Sequence, residues 1–173
     1  MHMLHLLRHA KSSWKDDVED HERPLNKRGR EAARLIGAHL PGAVEAIDLV
    51  LCSSAARSRQ TLELAIAKFP ARPPCLVEDS LYLADCDKLV DRLRQLDESC
   101  GNVLLIGHNP GLRDLAVALA EPDSSRSRGL AADKFPTGAR ASFEVAGRWS
   151  GIAGLRHRLV DYTTPASLSG DAR

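Results

Sequence analysis

Mostly apolar residues arrive along this chain in short runs, each followed by a polar or charged group. Met3 to Leu7 is the first, Asp48 to Cys52 the second and Val103 to Gly107 the third. Runs of this length without alternation predict inner strands covered on both faces. Between them the apolar spacing becomes that of a helix. Arg28 to Leu40 places Ala32, Leu35, Ile36 and Leu40 on one face, and Pro41-Gly42 is expected to end it. Leu62, Ala65, Ile66 and Phe69 mark a second helix, capped by Ser53 or Ser54 and stopped at Pro70. Asp87 to Leu96 is a third, with Leu89, Val90, Leu93 and Leu96 inward. Leu112, Leu115, Ala116 and Leu119 line a fourth, with Asn109 as its cap and Pro110 in its first turn.

Other stretches carry weaker patterns. Cys75 to Val77 is expected as a short edge strand. Ala139 to Val145 alternates apolar and polar residues and predicts a half-exposed strand; Leu155 to Tyr162 is the last strand expected. Lys11 to Leu25 is charged and without period, a loop long enough to imply a task. Glu121 to Lys134 reads as a mobile surface loop, and Thr163 to Arg173 as a loose polar tail. Strands alternating with amphipathic helices imply a three-layer α/β/α sandwich with a largely parallel central sheet, a single domain over residues 1–162. In open sheets of that kind, ligands bind outside the carboxyl ends of the strands.

Composition narrows the field. A length of 173 residues suits one domain. Net charge is +1, which argues against nucleic-acid binding driven by bulk charge. No apolar run approaches the roughly 20 residues of a membrane span. The N-terminal run is short and ends at Arg8, unlike a signal peptide, so a cytoplasmic location is expected. The four cysteines, Cys52, Cys75, Cys86 and Cys100, form no CxxC pair and read as reduced thiols rather than disulfides or a zinc site.

The ends of the three inner strands carry the candidate chemistry. Arg8 and His9 follow the first together, and a strand terminus is a poor place to bury either. Arginine presents a planar fork of donors suited to phosphate oxygens. A neutral imidazole beside it can attack phosphorus and form a covalent intermediate, while the arginine neutralises charge on the moving phosphoryl group. Arg57 follows the second strand in SSAARSRQT, where small residues leave room and a helix start offers free N–H groups. His108 follows the third in GHNPG. Each histidine alone can equally be a turn or core group; it is the convergence of three strand ends that points to one phosphate site. Arg23, stiffened by Pro24, is either a further phosphate ligand or a loop ion-pair partner. Ser12, Ser13, Lys11 and Lys15 lie close enough after His9 to line a rim, although for the two lysines a solvated loop position is the default reading.

These residues resemble a known family. Leu7-Arg8-His9-Ala10 is similar to the RHG motif of the histidine phosphatase superfamily, the phosphoglycerate mutase-like fold. Through Lys11-Ser12-Ser13-Trp14 the chain resembles the SixA-type branch, the phosphohistidine phosphatases. The likeness continues in order through Arg23-Pro24-Leu25, Arg28-Gly29, Ser53 to Thr61 and Gly107 to Gly111. It implies that His9 is phosphorylated in the reaction, that Arg8, Arg57 and His108 surround the phosphoryl group, and that Arg23 lies near the same pocket. It implies no metal and no organic cofactor.

Two departures from the family pattern stand out, and the second bears on the substrate. Ala10 replaces the motif glycine. The carboxylic acid that many members bring from the segment after the second helix has no clear counterpart: Tyr82 to Ala84 occupy that stretch, with Glu78, Asp79 and Asp85 nearby. An alkoxide leaving group needs a proton, and a placed acid is worth about 10²–10⁴-fold. The weaker P–N bond of a phosphoramidate makes a smaller demand. The expected activity is therefore metal-independent removal of phosphate from a protein phosphohistidine. The alternatives are a phosphatase of small phosphate esters using Asp85 or Glu78 as acid, and a phosphoprotein-binding module without turnover.

Overall fold

The computed structural model describes residues 1–122 and 124–170. Its elements run β1 (His2–Arg8), α1 (Lys27–Ala43), β2 (Leu49–Ser53), α2 (Ala56–Ala65), β3 (Cys75–Glu78), α3 (Cys86–Arg94), β4 (Asn102–Gly107), α4 (Gly111–Leu119), α5 (Ser125–Ala132), β5 (Arg140–Val145), β6 (Arg158–Thr163) and α6 (Pro165–Ser169). The six strands form one sheet in the order β3-β2-β4-β1-β5-β6. β5 runs antiparallel to both its neighbours, and the remaining pairs are parallel.

Helices cover both faces of this sheet, which is why its inner strands carry no alternation. Leu4, Leu6, Leu51, Val103 and Leu105 pack on the side of α3 and α4. Leu7, Val50, Cys52, Leu104 and Ile106 pack on the side of α1 and α2. The expected three-layer sandwich is what forms. Parallel register sets Arg8 opposite Gly107, so β1 and β4 end side by side. No helix among the described residues is long and apolar enough to cross a membrane. All four cysteines are free.

Several local expectations are corrected. α1 does not stop at Pro41-Gly42 but continues to Ala43. Pro41 lies in the last turn, where its fixed φ is helical and its missing N–H removes a single bond. The buried face of α1 is Ala33, Ile36, Gly37 and Leu40, while Ala32 and Leu35 are only half-buried. Gly37 turns it: α2 passes so close that a Cβ there would stand 2.2 Å from the Leu64 carbonyl oxygen. α2 ends at Ala65, before Phe69, and its start has no side-chain cap, because Ser53 and Ser54 bond elsewhere. α4 starts behind Pro110 rather than Asn109, whose amide instead donates to the Lys134 and Phe135 carbonyls.

The second half of the chain is more ordered than its pattern suggests. Arg140 and Ser142 of β5 are buried, not exposed. Arg140 donates to Ser142 at 2.6 Å and to Asp161 at 2.7 Å, so the polar positions find partners inside the protein. The expected loop over 121–134 contains α5, capped by Ser124 and anchored by the buried Leu130; Asp123 lies outside the described residues. β6 begins at Arg158 rather than Leu155, which is exposed. The expected tail over 163–173 is corrected as far as residue 169. Thr163 ends β6, and α6 follows with a reciprocal Thr164–Ser167 cap and Leu168 packed on the α1 side. Residues 171–173 lie outside the described residues.

Candidate active site

The carboxyl ends of β1, β2 and β4 deliver Arg8-His9, Ser53 and Gly107-His108 to one rim. The His9 N–H donates to the Gly107 carbonyl at 3.1 Å, which ties the two strand ends together. The His9 and His108 rings lie 5.1 Å apart between centroids. The loop after β1 folds back over this rim, pinned by a bridge between Ser12 and Leu25. α2 fixes its two ends: Gln60 accepts from the Leu25 N–H at 2.8 Å, and Thr61 accepts from the Ala10 N–H at 2.9 Å. The result is a hollow of about 470 Å³ whose lining includes Arg8, His9, Ser12, Arg23, Arg57 and His108. All six site residues expected from the sequence meet there.

His9 is held in a defined form. Its Nδ1 lies 2.7 Å from the Ala10 carbonyl, which can only accept, so Nδ1 carries the proton and Nε2 keeps its lone pair. Burial, with Arg57, Arg8 and Arg23 around it, pushes the ring down to about 4 despite the opposing bond to Ala10. The imidazole is therefore neutral near pH 7 and has one uncommitted nitrogen. His108 is likewise neutral, pushed down to about 3 by burial and by His9, Arg57 and Arg8. Its Nε2 lies 2.7 Å from Ser53 Oγ and its Nδ1 3.5 Å from an Arg57 nitrogen. A hydroxyl can donate or accept. The ring can thus offer Nδ1 as an acceptor to Arg57 or, with Ser53 donating, as an N–H donor to an anion.

The guanidinium groups are clamped, with donors to spare. Arg57 donates to the Asp20 carbonyl at 2.8 Å and to the Asp20 carboxylate at 3.1 Å. Arg23 donates to Asp20 at 3.0 Å, to Ser12 Oγ at 2.8 Å and to the Ser13 carbonyl at 3.0 Å. Arg8 donates to the Phe135 carbonyl at 3.2 Å. The buried Nε atoms of Arg8 and Arg57 have no acceptor among the described residues. Three arginines and Lys11 face one carboxylate, Asp20, around the hollow. Such an excess of positive charge suits a phosphoryl dianion. Among the described residues two hold positive φ without being glycine, Leu83 (50°) and Phe135 (52°). The first lines the hollow and the carbonyl of the second takes Arg8, so the backbone strain is concentrated at the site.

Residues 4–82 match the histidine phosphatase superfamily, branch 1. An uncharacterized protein of Mycobacterium tuberculosis is 35% identical over 162 residues, covering 92% of this chain and 99% of that protein. Among solved structures, a SixA protein from Nakamurella multipartitia superposes with a TM-score of 0.83 at 29% identity, over 95% of this chain and 96% of its own. Its namesake from Agrobacterium tumefaciens gives 0.80 at 27%, over 95% and 98%. The chain belongs to the histidine phosphatase superfamily. Family and neighbours together support a phosphatase. Arg8, His9, Arg57 and His108 stand around one hollow. The carboxylates weighed as its acid are elsewhere engaged. Asp85 caps α3 by accepting from the Lys88 N–H at 2.9 Å, and Glu78 is paired with Arg92 at 2.8 Å. Neither lines the hollow.

Asp20, Tyr82 and Ser53 escaped the sequence reading as functional groups. The Tyr82 hydroxyl donates to Asp20, and with Arg23 and Arg57 it holds that carboxyl well below the usual carboxylate range. The edge of the Tyr82 ring also meets His108, 5.5 Å between centroids. Asp20 stands three residues before Arg23 in a short 3₁₀ turn, a spacing that signals an ion pair. Tyr82 and Ser53 left no signal beyond their places beside motif residues.

Proposed function

We propose that this protein removes phosphate from a protein phosphohistidine through a phosphorylated His9. The observation that carries the reading is the neutral His9 ring, with Nδ1 committed to Ala10 and Nε2 free in a hollow lined by cations. In the first step the Nε2 lone pair attacks phosphorus and the P–N bond to the substrate breaks. The substrate imidazole leaves with the bonding pair, neutral because its other nitrogen holds a proton. In the second step water attacks the phosphoryl group, the bond to Nε2 breaks, and inorganic phosphate departs with the water oxygen. Arg8, Arg57 and His108 stabilise the charge on the transferring group in both steps. Arg23, steadied by Ser12, adds a further donor at the rim.

The chemistry of the carboxylates supports a phosphoramidate over an ester. Asp20 is the single carboxylate among the described residues lining the hollow, and its partners keep it ionised, so it holds no proton to give near pH 7. An alkoxide would have to leave without a proton, whereas an imidazole already protonated on its other nitrogen leaves neutral.

The test is turnover with chelator present. The purified protein is offered phosphohistidine-carrying protein, phosphoramidate and a panel of phosphate esters. Rapid use of the N-phosphoryl compounds, an acid-labile phosphoenzyme, and loss of both in His9→Ala are the expected results. Undiminished turnover in His9→Ala would remove the nucleophile, and a preference for esters would remove the substrate class.

A further inference from the structure

Beside the hollow lies a larger open groove of about 760 Å³, which shares Lys11, Ser12 and Trp14 with it. Among the described residues its cations are Lys11, Lys15, Lys27, Arg28 and Arg30, and its one carboxylate is Asp16. The other acids of the same loop, Asp17, Glu19 and Glu22, do not line it. Lys11, Lys15, Lys27 and Arg28 are exposed and form no ion pair with any described residue. Arg30 donates to the Leu25 carbonyl at 2.9 Å and meets no carboxylate among the described residues.

This is not the average surface of the molecule. The whole chain carries a net charge of +1, so five cations against one acid is a local excess. Lys27 and Arg28 also stand in the first turn of a 17-residue helix that has no acidic residue there. That is the end at which the helix dipole opposes cations. Stability alone would favour acids at these positions, and a local rule broken in this way marks a functional surface. Dipole and side chains reinforce one positive field. At the junction with the hollow, the Trp14 indole is 80% exposed, with the Arg23 guanidinium 3.4 Å from its ring centroid.

We propose that this groove docks an acidic segment of the phosphorylated protein whose phosphohistidine enters the hollow. The proposal rests on the phosphohistidine reading above and specifies the surface of the partner. A polypeptide fits better than a polynucleotide, because the groove offers one exposed indole rather than a row of stacking rings. The acidic side chains would meet Lys15, Lys27 and Arg28, and an apolar neighbour of the phosphohistidine would cover Trp14.

The experiment compares two phosphohistidine peptides of equal length, one flanked by Asp and Glu, the other by Asn and Gln. The acidic peptide should show a KM at least about tenfold lower, with the difference shrinking as salt is raised. Lys15→Glu, Lys27→Glu and Arg28→Glu combined should erase that preference while leaving kcat and phosphoramidate hydrolysis unchanged. Two of these changes put acids where the helix dipole favours them, so the variant retains its fold. Binding is also read without turnover. The unphosphorylated acidic peptide should perturb Trp14 fluorescence, since the second tryptophan, Trp149, is fully buried. Equal KM for the two peptides would overturn the proposal. So would a preference that survives the triple charge reversal, or an oligonucleotide that displaces the acidic peptide at equal concentration. Failure of the unaltered protein to hydrolyse phosphoramidate would be a failure of the phosphatase reading, and the Trp14 titration would then decide the groove by itself.

Discussion

Gly29→Ala tests whether the approach of α1 to the catalytic loop is what shapes the site. A Cβ at Gly29 would stand 2.0 Å from the Lys11 carbonyl oxygen and 2.9 Å from its carbon, where Cβ atoms do not come within 3.0 Å. Helix and loop must therefore part by at least about 1 Å. Neither side yields easily. The Lys11 carbonyl accepts from the Asn26 N–H at 3.0 Å, and Asn26 caps α1 by accepting from the Gly29 N–H at 2.8 Å. The displacement falls two residues from His9 and one from Ser12, which anchors Arg23. Overpacking costs about 1–3 kcal/mol, and alanine in a helix recovers about 1 kcal/mol over glycine. The net loss of about 0–2 kcal/mol leaves a domain of ordinary stability, about 5–15 kcal/mol, folded at 25 °C. A misplacement of about 1 Å at reacting groups costs about 100-fold in rate. The expected result is thus phosphoramidate turnover down about 100-fold in a protein whose Tm falls by no more than about 8 °C. Gly42→Ala is the control on the same helix. Nothing lies within 4 Å of a Cβ there, so activity should hold and Tm rise by about 1–4 °C. Full activity and unchanged Tm in Gly29→Ala would refute the reasoning.

Three further predictions concern charge and hydrogen bonding. His5, His9 and His108 are buried neutral, with pKa values pushed down to about 4, about 4 and about 3 from 6.5. As pH falls below 6.5 the unfolded chain takes up protons first, so stability present above pH 6.5 is lost on the way to about pH 4. One ring held at about 4 accounts for about 3 kcal/mol; urea titrations at pH 7.5, 6 and 5 should show the decline, and a flat profile would contradict it. Ser53→Ala strips His108 Nε2 of its 2.7 Å partner, which should cost about 1–3 kcal/mol and lower kcat without a matching rise in KM; unchanged kcat and Tm would deny Ser53 its positioning role. Asp20→Asn removes the one carboxylate among the described residues that faces the arginines and should tighten inhibition by inorganic phosphate about tenfold, whereas Asp20→Ala should also lower kcat because Arg23 and Arg57 lose their common anchor. Phosphate inhibition no tighter in Asp20→Asn would exclude an opposing charge.

The chain's periodicities specify the sandwich, because a strand buried on both faces and a helix buried on one leave different, local marks. Val50, Leu51 and Cys52 read as an inner strand in isolation, and Leu112, Leu115, Ala116 and Leu119 as a buried helical stripe. Patterns failed where burial depended on a distant partner. Arg140 and Ser142 look like solvent positions until Asp161 and His5 arrive from other strands. Leu130 and Leu168 are single apolar anchors, too few to display a period in the short helices α5 and α6.

The site divides along the same line. Arg8, His9 and His108 were legible because each sits at the end of a strand the pattern already announced, and Arg57 because it opens the helix after such a strand; all four lie in motifs that resemble a family. The protonation state of His9, the clamp of Asp20 on Arg23 and Arg57, and the contact of Tyr82 with His108 were not legible. Strand periodicity fixes which residues reach a rim. Which nitrogen stays free, which carboxylate stays charged and which cations lie beside them depend on distances of a few ångströms between segments far apart in sequence, and only the packed fold sets those.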